Sequence, residues 1–127
     1  PDKDLTAWPP YGGESGQMAA RALIERGATA IACASDQLAL GAVKATRSLG
    51  LSIPRDISVT GYDDSPAMGY MSPSLTTVRQ PVDKICQSTI TALMAMMENK
   101  RLAARRDVLL FEPELIVRES TGRCTER

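Results

Sequence analysis

Two hydrophobic periods alternate along the chain, and the switches between them mark its elements. From Ser15 to Arg26 the apolar residues Met18, Ala19, Ala22 and Leu23 recur at helical spacing, and Gly27 supplies a stop. Ala28 to Ala34 is a short apolar run bounded by turn signals, the pattern of a strand covered on both faces in a parallel sheet. Asp36 to Leu49 returns to the helical period. It opens on an acid that can accept from its own first-turn amides and closes with Lys44 and Arg47 near the negative end of the helix dipole. Ala39, Ala42, Val43 and Thr46 are expected to face the sheet, while Leu38 and Leu40 add apolar surface that predicts a second partner. After Pro54-Arg55-Asp56 comes a second strand, Ile57 to Gly61, and then a loop, Tyr62 to Ser74, long enough to carry function. Leu75 to Arg79 reads as a strand, and Pro81 suits the first position of a helix running to about Asn99. Cys86, Ile90, Leu93, Met94 and Met97 line one face of that helix, the methionines as core filling. Val108 to Phe111 and Glu114 to Arg118 are expected as short strands around Pro113, and Gly122 to Arg127 as a frayed tail. Alternating strands and helices predict an α/β fold, a parallel-sheet three-layer sandwich.

Length and charge narrow the function classes. At 127 residues the chain is about one domain long, and its 15 Lys and Arg equal its 15 Asp and Glu. No net positive field is available to hold a phosphate backbone, so this segment by itself is not expected to bind DNA. Lys100, Arg101, Arg105 and Arg106 read as a solvated helix end. No apolar window reaches membrane-spanning length and no basic-then-apolar leader opens the chain, which predicts no membrane partner and a cytoplasmic location. Opening on Pro1, the chain reads as part of something longer. Cys33, Cys86 and Cys124 lack the short paired spacing of zinc or dithiol sites and are expected as reduced, buried thiols. Histidine is absent. With no glycine-rich phosphate loop and no nucleophile beside a base, no catalytic residue, metal site or cofactor is predicted.

Both inner strands end in acids, and ligands of open α/β sheets bind beyond the carboxyl ends of the strands. Tyr62-Asp63-Asp64 therefore has three readings: a divalent metal or phosphoryl acceptor, a hydrogen-bond acceptor for a hydroxylated ligand, or a turn cap. Successive strand residues face opposite ways, so only one of the two acids is expected to meet a small ligand. A carboxylate suits a sugar, since its two oxygens accept from neighbouring hydroxyls. Ser35 can donate to such a ligand, while Asp36 is expected to serve its own helix start. Tyr11, presented by the loop Pro9-Pro10-Tyr11-Gly12-Gly13, can stack on a sugar or a base, and Trp8 competes for that role; a surface aromatic covering the core edge is the other reading.

Five phrases carry a wider resemblance: Ala34-Ser35-Asp36-Gln37-Leu38-Ala39-Leu40-Gly41-Ala42, Leu51-Ser52-Ile53-Pro54-Arg55-Asp56-Ile57-Ser58-Val59, Gly61-Tyr62-Asp63-Asp64, Leu75-Thr76-Thr77-Val78-Arg79-Gln80-Pro81 and Glu114-Leu115-Ile116-Val117-Arg118-Glu119-Ser120-Thr121. In this order they resemble the lactose/galactose repressor (LacI/GalR) family of bacterial transcription regulators. The resemblance implies the C-terminal half of a periplasmic-binding-protein-like (type I) fold. Residues 1–80 would be the C-terminal effector-binding subdomain, 81–106 a crossover and helix of the N-terminal subdomain, and 107–127 the return strands and tail. It implies that Tyr11, Ser35 and Asp63 line an effector cleft, which Val82 also reaches, with Trp8, Asp36 and Gln80 behind them. Many members carry asparagine where Ser35 stands, and in some a bulkier aromatic closes the cleft where Val82 stands. Leu40, Lys44, Met68 and Met71 are implied as a homodimer face. The methionine-bearing helix after Pro81 is implied to pack largely in the N-terminal subdomain, so in this segment its apolar face lacks its sheet and is expected to be exposed, swapped or covered by another chain. The partners so implied are a small effector, a sugar by preference, and operator DNA reached only through a helix-turn-helix outside this chain. A solute-uptake binding protein shares the architecture, and a magnesium-dependent phosphoacceptor enzyme using Asp63 and Asp64 is the remaining alternative.

Overall fold

The computed structural model describes residues 5–98 and 108–123. They fall into two units, one comprising the chain up to Arg79 together with the part from Leu115 onward, the other running from Gln80 to Glu114. The basic group Lys100, Arg101, Arg105 and Arg106, Cys124 and the end of the tail lie outside the described residues.

The first unit is α/β. Its elements are α1 (Gly13–Glu25), β1 (Ala30–Ala32), α2 (Asp36–Ser48), β2 (Ser58–Thr60), a 3-10 turn (Pro66–Tyr70) and β3 (Thr77–Arg79), and the returning chain adds β4 (Glu114–Ile116). β1 and β2 are parallel, with Ala30, Ile31 and Ala32 opposite Ser58, Val59 and Thr60. β3 follows beside β2 through a parallel bridge from Thr60 to Thr76, and β3 pairs with β4. Each ladder is short, but amide bonds prolong it past the strand ends: Cys33 donates to Thr60 O, Gly61 to Thr76 O and Asp63 to Val78 O, each at 2.9 Å.

The core forms where α1 and α2 meet this sheet. Ile31 and Val59 from the strands, with Ile57 and Leu75 just before β2 and β3, pack with Ala20, Ile24, Ala39, Ala42 and Val43 from the helices. Full burial of each large aliphatic among them contributes about 1.5–3 kcal/mol. Ala39, Ala42, Val43 and Thr46 are buried, as their spacing predicts. α1 and α2 touch at two glycines: a Cβ on Gly41 would lie 2.2 Å from Gly13 O, and one on Gly16 would lie 2.6 Å from Leu38 O. Leu38 is itself buried here, so only Leu40 of the surplus pair stands outside.

The second unit meets one expectation and corrects two. Its helix α3 (Val82–Glu98) has no buried residue: Met94 and Met97 are exposed with Ile90 and Leu93, as expected of an apolar face that lacks its sheet in this segment. Among the described residues of the unit no sheet packs on that face. Cys86, expected to be buried, is exposed for the same reason. Residues 108–113 form no strand. Leu109 and Leu110 are exposed, and a strand without a neighbour to bond is not stable in water.

Candidate effector site at the strand ends

The chain turns after each inner strand, and two short connections bring the turns together. The amide of Asp36 donates to Tyr62 O at 2.9 Å, so Ser35-Asp36 and Tyr62-Asp63 lie side by side at one edge of the sheet. β3 adds its end to the same edge through the Asp63 N to Val78 O bond. The rim is thus built by three strand termini, the place where an open α/β sheet offers polar groups to a ligand.

The helix-start role expected of Asp36 falls to Ser35. Ser35 is the helix cap: its extended backbone precedes α2, and its buried hydroxyl accepts from Leu38 N at 3.2 Å. That bond uses a lone pair and leaves the hydroxyl proton to be donated. Asp36 does not accept from its own first turn. Only 2 % exposed, its carboxylate takes the Thr77 hydroxyl on Oδ1 and the Ser65 amide on Oδ2, both at 2.7 Å. It therefore fastens the start of α2 to β3 and to the loop after β2. Gly61 permits this, since a Cβ there would lie 2.3 Å from Asp36 Oδ1.

The two acids after β2 diverge. Both have positive φ, 107° at Asp63 and 52° at Asp64, in the left-handed region that asparagine and aspartate tolerate better than other side chains. Asp63 is exposed. Asp64 turns inward, its side chain 7 % exposed, and each oxygen meets one guanidinium: Arg118 Nη2 at 2.6 Å on Oδ1 and Arg79 Nη2 at 2.6 Å on Oδ2. Burial raises the Asp64 carboxyl, but hydrogen bonds from Arg118 and Arg79, together with their charge, outweigh it and hold the group below the ordinary aspartate value. Two carboxylates are therefore not offered to one cation. Among the described residues no three His, Cys, Asp or Glu gather as metal ligands.

Tyr11 stands at the head of α1, 75 % exposed, and Trp8 is 92 % exposed. Both line an apolar cavity of about 230 Å³ whose wall includes Cys33 and Ala34, so the aromatic loop reaches the β1 end of the rim. Burial pushes the Cys33 thiol up to about 12, which keeps it protonated and unreactive. Val82 and Gln80 belong to the second unit. Of the residues implied for a homodimer face, Leu40 and Lys44 are exposed on α2, beside a surface depression shared with Glu14 and Gln17. Met68 is a correction. It is 4 % exposed and part of the core, because the 3-10 turn folds it inward, and Met71 packs against the same cluster.

Sequence reasoning missed the partners of Asp64 and the part played by Ser120. That serine is fully buried: its carbonyl accepts from Val59 N at 2.9 Å, and its hydroxyl donates to Val59 O at 2.6 Å and accepts from Thr76 N at 2.8 Å. It seals the seam between β2 and β3 from 61 residues away. The one legible signal was an arginine closing each of two strand patterns.

Residues 4–121 match the family model described as a periplasmic binding protein-like domain. The chain belongs to this family. Over 121 residues it is 47% identical to the HTH-type transcriptional regulator MalR of Streptomyces coelicolor, a match covering 95% of the chain and 35% of that protein. In backbone it is similar to a transcriptional regulator CelR in complex with cellobiose, with TM-score 0.84 and 31% identity over 94% of the chain and 37% of that structure. It is also similar to a LacI family transcriptional regulator of Enterococcus faecium with bound ribose, with TM-score 0.78 and 25% identity over 90% of the chain and 42% of that structure. The family match and these likenesses place the chain with LacI-family regulators, in part of their effector domain. The chain spans about a third of the length of the curated relatives it matches. Among the described residues no helix is long and apolar enough to cross a membrane.

Proposed function

We propose that this chain is the effector-sensing part of a LacI-type transcription regulator, and that its effector is a sugar. The observation that carries the reading is the divergence of Asp63 and Asp64. One carboxylate is neutralised by two arginines, while its neighbour stands exposed at the end of β2. A single presented carboxylate can accept from two adjacent hydroxyls of a polyol, with charge-assisted bonds stronger than neutral ones. Tyr11 supplies an apolar ring on the same rim and Ser35 a donor. Cellobiose and ribose in the similar regulators support a sugar as the ligand class. The relatives named above are regulators, which favours this reading over solute uptake.

Operator binding then belongs to a helix-turn-helix outside this chain, and the ligand acts by favouring one arrangement of the regulator over another. Leu40 and Lys44 on the outer face of α2 are the groups offered for self-association. The test uses the full-length regulator. A thermal-shift screen with maltose, cellobiose and ribose comes first, followed by operator binding with and without the stabilising sugar. Asp63→Ala is expected to abolish the response to sugar and to keep sugar-free operator binding. An unaltered response removes Asp63 from the site.

A further inference from the structure

Asp64 stands beside the two places where the chain passes between units. It holds Arg79, the last residue before the chain leaves the first unit at Gln80, and Arg118, three positions after it returns at Leu115. Arg79 Nε adds a second bond to Asp64 Oδ2 at 2.7 Å, and Arg118 Nη1 donates to Leu75 O at 2.8 Å, which locks that guanidinium onto the start of the β3 segment. One carboxylate thus joins three stretches: the loop after β2, the departing strand β3 and the return after β4. The same loop carries Asp63, whose amide is fixed to Val78 O at 2.9 Å, while the amide of Asp64 reaches Thr77 Oγ1 at 3.4 Å. Two consecutive aspartates at positive φ persist only where their surroundings over-determine them. Stability alone is a weak reason to bury an ion pair, because desolvation offsets much of the attraction.

We propose that Asp64 is a positioning residue: by bridging Arg79 and Arg118 it sets the conformation in which Asp63 is presented, and it ties that loop to both chain segments that connect the two units. The proposal rests on the reading of Asp63 as the ligand contact. A sugar drawing on Asp63 then acts through one carboxylate on the departing and the returning segment together.

Hydrogen exchange on the full-length protein, with no sugar present, tests the clasp directly. Arg79→Met alters its half-exposed side, where the arginine side chain is 51 % exposed, and leaves the core intact. It is expected to speed exchange about tenfold or more in 61–65 and 115–118 as well as in 77–80. Acceleration confined to 77–80 overturns the proposal. Titration with maltose gives a second readout: Arg118→Met is expected to weaken binding about tenfold, and Arg118→Lys, which keeps the cation, to recover most of it. If Asp63→Ala loses maltose binding while Arg118→Met binds as the wild type does, the clasp is refuted and the Asp63 reading stands. If Asp63→Ala binds maltose normally, the site reading fails. The exchange experiment needs no ligand and decides the clasp in either case.

Discussion

Removing the Asp36 carboxylate should loosen the rim more than any change at its exposed edge. Asp36 accepts two bonds of 2.7 Å, from the Thr77 hydroxyl and the Ser65 amide. Hydrogen bonds to a charged group contribute about 1.5–3 kcal/mol each, so the pair sets a ceiling of about 6 kcal/mol. Ser65 is half-buried, so water can replace part of its bond after truncation, whereas Thr77 is fully buried and its hydroxyl proton loses its acceptor. Asp36→Ala is therefore expected to cost about 3–4 kcal/mol. Asp36→Asn keeps one oxygen for the Ser65 amide and can donate to Thr77 Oγ1, and should cost about 1–2 kcal/mol. Gly61→Ala attacks the same contact from the other side, since its methyl would lie 2.3 Å from Asp36 Oδ1 and 2.8 Å from Leu75 Cδ2. The two changes should be non-additive. In Gly61→Ala with Asp36→Ala, the absent carboxylate gives the methyl room, and the double variant should be at least about 1 kcal/mol more stable than the sum of the singles implies. Urea unfolding of the full-length protein, followed by circular dichroism, measures all four. Equal costs for Asp36→Ala and Asp36→Asn, or strict additivity with Gly61→Ala, would refute the reasoning.

Three further outcomes are expected. Gly41→Ala should cost about 1–3 kcal/mol or more, because its methyl meets the α1 backbone rather than a movable side chain; an unchanged urea midpoint contradicts that contact. The folded pKa of Asp64 lies below its unfolded value, so the stabilisation it contributes is present above the unfolded carboxyl range and fades as pH falls through the folded pKa. Urea midpoints should accordingly drop less between pH 6 and about pH 3 in Asp64→Asn than in the wild type, and parallel profiles would count against it. With its thiol pushed up to about 12, Cys33 should react with iodoacetamide at pH 8 about a thousandfold more slowly than an ordinary cysteine, as read by peptide mass spectrometry. Alkylation of Cys33 as fast as in the urea-unfolded protein is the contrary result.

Local pattern carried the elements and the placing of the rim. Ala39, Ala42, Val43 and Thr46 are spaced for one helix face, and all four are buried. The strand-ending acids were legible because strand periodicity stops at Ser35-Asp36 and at Asp63-Asp64, but those last two diverge through left-handed backbone at both residues and not through strand alternation. What each polar group does at the rim was not legible. Ser35 and Asp36 are both competent helix caps by residue type, and the Asp36 carboxylate is instead taken by Thr77 and Ser65, 41 and 29 positions away. Asp64 found Arg79 and Arg118 at separations of 15 and 54 residues, and Ser120 closed a seam with Val59 across 61. Periodicity reports which face of an element turns inward, because that depends on neighbours three or four residues off. The partner of a buried charge depends on which distant segment the fold delivers, and only the tertiary structure decides that.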